Sequence, residues 1–233
     1  MLFGFLDPLY LLLLAPAMVL AAWAQWKVKA AYARASQVRN RHGLTGAEAA
    51  AKILEAGGAY DVAIEPARGC LSDHYDPRHR VLRLSPDVYQ GRSLASVGIA
   101  AHEAGHALQH QRGYAPLALR NGLVPLASTG GTMAMSVFFL GLVFQWQSWI
   151  LAAIGLFSAV VVFQLVNLPV EFNASRRAKH ELTHLGLIDA GEAKPVGRVL
   201  NAAALTYVAA TLTAILTLLY FLLRSGLLGG SRR

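Results

Sequence analysis

Three stretches of this chain, residues 8–26, 121–170 and 199–223, contain no charged side chain, and they constrain the fold more than any other feature. A backbone surrounded by hydrocarbon must satisfy its own hydrogen bonds, so such runs are read as membrane-spanning helices. Composition agrees: 55% of residues are hydrophobic and only 15% are charged, against about a quarter in an ordinary soluble domain. The middle run, roughly fifty residues, is too long for one span of about twenty and suits a helical hairpin. Gln145-Trp146-Gln147-Ser148-Trp149 interrupts it with polar residues and two interfacial tryptophans, which places the turn. The expectation is a mainly α, polytopic membrane protein organised as a single domain over 1–233. Its four spans are expected near 8–26, 122–144, 149–170 and 199–223, with a small α+β subdomain built from 27–120 and 171–198.

Charge placement predicts the orientation. The first run lacks the basic segment that precedes a signal-peptide core, and Lys27, Lys29, Arg34, Arg39 and Arg41 follow it instead, so it is read as a retained span. The positive-inside rule puts 27–120 in the cytoplasm, and the hairpin returns 171–198 to the same side. Four spans leave Arg224, Arg232 and Arg233 outside, the one awkward placement. The net charge of +8 is juxtamembrane or mixed with acids, without the basic and aromatic interleaving of a nucleic-acid surface. Anionic lipid is therefore the expected partner of this charge, and no nucleic acid is expected. Cys70 is the only cysteine, so no internal disulfide can form, as suits a reducing compartment.

Within the polar segments, Ala30–Val38 is expected to prolong the first helix. Thr45 and Glu48 form a capping box that opens a second helix, which ends at Gly57-Gly58. Val62-Ala63-Ile64 reads as a short strand closed by Pro66. Gly69-Cys70-Leu71-Ser72 and Arg80-Val81-Leu82-Arg83-Leu84 read as the arms of a hairpin around Asp73-His74-Tyr75-Asp76-Pro77. A further helix, capped by Ser93, runs to about Gly113 and carries His102-Glu103-Ala104-Gly105-His106.

On a helix, residues i and i+4 lie one above the other, so His102 and His106 can reach one ion while Glu103 stands beside a water on it. Two histidines on a small-residue face could also be hydrogen-bonded core residues, so the reading requires a third ligand. His110 shares the face, but eight residues of helix rise about 12 Å, too far for bonds of about 2.1 Å to one zinc ion. Glu171, the first charge after the long hairpin, is the better candidate, its alternative being an ion pair with Arg176 or Arg177. A second His-Glu-x-x-His, His180-Glu181-Leu182-Thr183-His184, follows Lys179 and ends at Gly186, with only Asp189 and Glu192 downstream; it is read as an exposed helix face.

His102-Glu103-Ala104-Gly105-His106 followed by Glu171-Phe172-Asn173-Ala174 resembles the gluzincin pattern of HtpX-type and CAAX-type membrane proteases, in which a Glu opening a second helix is the third zinc ligand. Asp73 to Pro77, Leu82 to Ser85, Ala100 to Gln109, Val170 to Ala178 and Leu205 to Ala209 resemble more closely the YugP-like membrane zinc metallopeptidases, a similarity that covers most of the chain. This resemblance implies a zincin-like fold for the cytoplasmic subdomain and one Zn2+ ion on His102, His106 and Glu171, with Glu103 as the base. Where HtpX-type relatives carry an Asp four residues after the ligand Glu, this chain has Ser175, which can still hydrogen-bond a ligand histidine without the carboxylate's charge.

The expected function is zinc-dependent endopeptidase action at the cytoplasmic surface of the cell membrane, on a peptide or membrane-protein substrate, with Glu103 activating the zinc-bound water. Arg176, Tyr89, His74 and Asn173 are candidate donors to the oxyanion, and the HtpX resemblance favours Arg176. The strand 80–84 could take substrate as an added antiparallel strand. Two alternatives stay open: a site-2-type intramembrane protease, and a silent scaffold whose zinc is structural, which would need a fourth ligand such as His110 or His74. Neither substrate identity nor oligomeric state follows from the residues.

Overall fold

The structure, a computed structural model, describes residues 7–69 and 72–228. Its elements are α1 (Pro8–Ser36), α2 (Gly46–Ala56), β1 (Ala63–Pro66), β2 (His74–Asp76), β3 (Val81–Leu84), α3 (Pro86–Tyr89), α4 (Leu94–Gln111), α5 (Ala115–Val143), α6 (Gln147–His184) and α7 (Ala190–Arg224). Four of them, α1, α5, α6 and α7, are long and apolar enough to cross a membrane. The fold is therefore that of a mainly α membrane protein with a small α+β part. The spans expected from the charge-free runs are sections of longer helices: α6, for example, continues beyond its apolar run to His184.

Contacts divide the chain into two units. One gathers the chain up to Trp23, Leu119–Leu168 and the chain from Thr206. Its core is aromatic, with Phe138 stacked on Phe221 at 3.9 Å and 8°, and Tyr10 edge-on to Tyr220. Its outer faces expose Leu12, Val19 and Val143, each at least 70% accessible, which water would oppose and hydrocarbon accepts. The turn between α5 and α6 falls where expected, with Gln145 at a positive φ of 56°. Asp7 caps α1 by accepting from Leu9 N–H, and its other oxygen accepts from Tyr220 Oη (2.9 Å) and pairs with Arg224 Nε (3.2 Å). The awkward Arg224 is thus neutralised within this unit. Arg232 and Arg233 lie outside the described residues.

The second unit comprises Ala24–Ala118 and Pro169–Leu205. The capping box forms at the head of α2: Glu48 N–H donates to Thr45 Oγ1, and Thr45 N–H donates to Glu48 Oε2 at 2.7 Å. Ser93 Oγ likewise accepts from Ser96 N–H to cap α4. The apolar faces of both helices share one core with Leu82, Leu84, Leu108 and Leu182.

The sheet departs from the sequence reading in two ways. Its order is β1-β3-β2, with β1 parallel and β2 antiparallel to β3. The arm opposite β3 is His74–Asp76, inside the segment read as the turn. The expected arm was 69–72, of which Cys70 and Leu71 lie outside the described residues. Asp76 explains the shift, because its carboxylate accepts from the Arg78 and His79 amides and starts the reversal at Pro77. His79 on that carboxylate, with Arg83 and these amides, holds its pKa well below the usual carboxylate range despite partial burial. The second departure concerns 80–84. As the central strand it spends its backbone groups on β1 and β2, so no substrate can add to it; β1 and β2 are the edges.

Candidate metal centre

Small residues bring α4 and α6 together. Ala101, Ala104 and Gly105 are buried on α4, and a Cβ added at Gly105 would sit 2.7 Å from the Ala174 carbonyl oxygen on α6. The glycine therefore lets the backbone of one helix touch the turn of the other that carries Glu171. Glu171 does not open a helix, as the gluzincin resemblance implied, but lies within the continuous α6, two residues after Pro169.

At this crossing His102 Nε2 lies 3.3 Å and His106 Nε2 3.7 Å from the same Glu171 oxygen, Oε2. The ligand atoms of all three residues fall within 4.8 Å of one another, and the group is the one of metal-ligating character found among the described residues. Glu171 is only 2% exposed. The two rings stand nearly perpendicular, 85° apart, with centroids at 4.9 Å.

The far nitrogens are also held. His106 Nδ1–H donates to Gln109 Oε1 (3.0 Å), and His102 Nδ1 meets Ser175 Oγ at 3.1 Å. With Nδ1 engaged, each ring presents Nε2 to the shared centre, the arrangement that a metal-binding histidine needs. The fully buried Gln109 amide donates in turn to the Val170 carbonyl (2.8 Å) and to Asn173 Oδ1 (3.0 Å), which also accepts from Arg177 Nε. Burial disfavours the charged form of His106, yet bonding to Glu171, the nearby charges of Glu103 and Glu171, and Gln109 hold its pKa above the ordinary imidazole value. Glu171 and Glu103 thus bring negative charge to the side of His106 that faces the cluster. Two imidazoles and one carboxylate are a donor set that suits zinc, so the residues fit the ion.

The remaining expected residues are distributed as follows. Glu103 is partly exposed beside the cluster. Arg176 is exposed, without a hydrogen bond or ion pair among the described residues. Asn173 is engaged by Gln109 and Arg177, and His74 turns its Nδ1 to the Ser72 carbonyl. His110 meets the Tyr75 hydroxyl at 2.8 Å and so ties β2 to α4 instead of joining the ligands. In the second motif the His180 and His184 rings stack at 5.3 Å on an exposed face. Sequence reasoning missed Gln109 and Tyr75 and considered Arg177 only as an ion-pair partner of Glu171, whereas it bonds Asn173; spacing could have suggested only Gln109, one helical turn beyond His106.

The chain is 47% identical over 215 residues to the protein named "Putative membrane protease YugP" from Bacillus subtilis (strain 168), covering 92% of this chain and 96% of that one. No solved structure matches it. Residues 10–226 match the family described as "Putative neutral zinc metallopeptidase", and the chain belongs to that family.

Proposed function

We propose that the protein is a zinc-dependent membrane endopeptidase acting at the cytoplasmic membrane surface, with one zinc ion held by His102, His106 and Glu171. The observation that carries this reading is the meeting of three ligand atoms within 4.8 Å from helices whose ligands lie 69 residues apart, His102 on α4 and Glu171 on α6. Bound there, zinc supplies an acidified water and polarisation of the scissile carbonyl. Glu103 receives the proton of the attacking water and returns it to the leaving nitrogen, a shuttle that requires the partial exposure it has. Arg176, exposed and without a partner among the described residues, donates to the oxyanion as the carbonyl becomes tetrahedral. An extended peptide pairs with a sheet edge, and β2 stands against α4 through the Tyr75–His110 bond.

Two observations favour this reading over its rivals. A structural zinc site is closed by four protein ligands, whereas His110 and His74 are both engaged elsewhere. An intramembrane protease would carry its metal within the apolar stretch of a span, whereas α4 is not among the four membrane-capable helices and Glu171 is the first charge after the apolar run of α6. The name of the similar B. subtilis protein also describes a membrane protease. Glu103→Gln and Arg176→Ala are expected to retain one zinc per chain while hydrolysis of a casein substrate falls by at least about 100-fold. Zinc analysis and turnover on the same purified samples check this; full activity in Glu103→Gln would end the proposal.

A further inference from the structure

Elsewhere in the second unit, α1 and α7 line a cavity of about 540 Å³ that is basic at one level and apolar at the next. Its lining repeats with helical spacing. Lys27, Ala31 and Arg34 stand at i, i+4 and i+7 on α1, and Arg198, Ala202 and Leu205 stand at the same spacing on α7. Ala31 and Ala202 are buried, and their small side chains leave the floor open. No lining residue is acidic. Arg34 and Arg198 are exposed and make no hydrogen bond or ion pair among the described residues, while Lys179 Nζ donates to Asn201 Oδ1 (3.1 Å) and brings a further ammonium to the rim.

The level of this cavity is written in the sequence. Lys27 is the first charge after the 8–26 run, and Arg198 is the last charge before the 199–223 run. Both helices thus pass from apolar to basic here, and Trp26, 64% exposed, stands at the same level as an interfacial anchor. The Arg34 and Arg198 guanidinium groups share a lining with no acid, and an anion between them relieves their repulsion; guanidinium groups bind phosphate oxygens in pairs. A ligand that also carries hydrocarbon can continue along Leu205 and Trp26, and the volume lies in the range of small-molecule sites.

We propose that this cavity binds the headgroup of an anionic phospholipid, with Arg34 and Arg198 on the phosphate and Asn201 at its edge. The inference stands whether or not the chain is a peptidase. The test uses the full chain purified in mild detergent and stripped of lipid, with thermal unfolding followed on adding phosphatidylglycerol, phosphatidylcholine or inorganic phosphate. Phosphatidylglycerol is expected to raise Tm by about 3–6 °C near ten times its Kd, and the other two to leave it unchanged. Arg34→Gln/Arg198→Gln should abolish the rise, Arg34→Lys/Arg198→Lys, which keeps the charge and loses the paired bonds, should keep only part of it, and Arg68→Gln/Arg78→Gln, with the same charge loss elsewhere, should keep all of it. Uptake by the wild type alone gives a second reading: native mass spectrometry should show phosphatidylglycerol preferred over phosphatidylcholine by at least about tenfold. Equal uptake of the two lipids, or a rise that survives the double Gln variant, would overturn the proposal. A rise reproduced by inorganic phosphate would show a free-anion site and overturn the lipid assignment.

Discussion

At the scale of single residues, the side chain that best explains the metal site is one that binds no metal. The Gln109 amide accepts the Nδ1 proton of His106 and anchors itself to the Val170 carbonyl and Asn173, so one side chain sets the tautomer of a ligand on α4 against the backbone of α6. In the sequence only its spacing, one helical turn beyond His106, hints at this role, because Gln109-His110-Gln111 has the composition of the polar end of a helix. The roles of the two arginines were not legible there. Adjacent helix residues point about 100° apart, and only the packed structure shows Arg177 bonded to Asn173 and Arg176 turned to solvent. Gln109→Ala is expected to weaken zinc binding by about 10–100-fold, the usual cost of losing a residue that supports a metal ligand. A competition titration against a chromogenic chelator measures it; unchanged affinity would reduce Gln109 to packing.

At the scale of elements, helices whose ends are written in local chemistry were legible, as were strands β1 and β3, and strand β2 was not. Thr45 with Glu48, and Ser93 before a run of small residues, mark α2 and α4 because caps depend on neighbours in sequence. Strand β2 hides in Asp73-His74-Tyr75-Asp76-Pro77, whose composition is that of a turn; pairing with the apolar β3 overrides local preference there. Ser175 shows the opposite case, since the serine standing where HtpX-type relatives carry an aspartate does reach a ligand histidine. The close approach of α4 to α6 depends on Gly105, where any Cβ meets the Ala174 carbonyl. Gly105→Ala is expected to cost about 1–3 kcal/mol of stability and to lower zinc occupancy with it, by pushing Glu171 away from the histidines. Gly122→Ala on α5, which meets nothing within 4 Å, is the control and should leave zinc occupancy at the wild-type level. Thermal unfolding and metal content of the two variants separate these outcomes.

At the scale of the whole molecule, the four charge-free stretches of helix were legible because hydrocarbon imposes a length and a composition that no soluble context imitates. The meeting of Glu171 with His102 and His106 was legible only through resemblance and through the even number of spans between them. The proposed topology puts 27–120 and 171–198 in the cytoplasm and the turn at Trp146 outside. Single cysteines at Arg39, Lys194 and Gln147 in a Cys70→Ser background should show it: the first two label from the cytoplasmic side and the third from the opposite side. Labelling of positions 39 and 194 from opposite sides would break the topology.

The claim that joins these scales is that Glu171, the first charge after the apolar run of α6, completes a zinc site begun on α4. Equilibrium zinc binding by the wild type and Glu171→Ala tests it most directly. One zinc per wild-type chain is predicted, with affinity falling by more than about 100-fold in Glu171→Ala, beyond the loss expected of a merely supporting residue. Wild-type affinity and stoichiometry in Glu171→Ala would contradict the account and leave Glu171 a buried partner of two histidines.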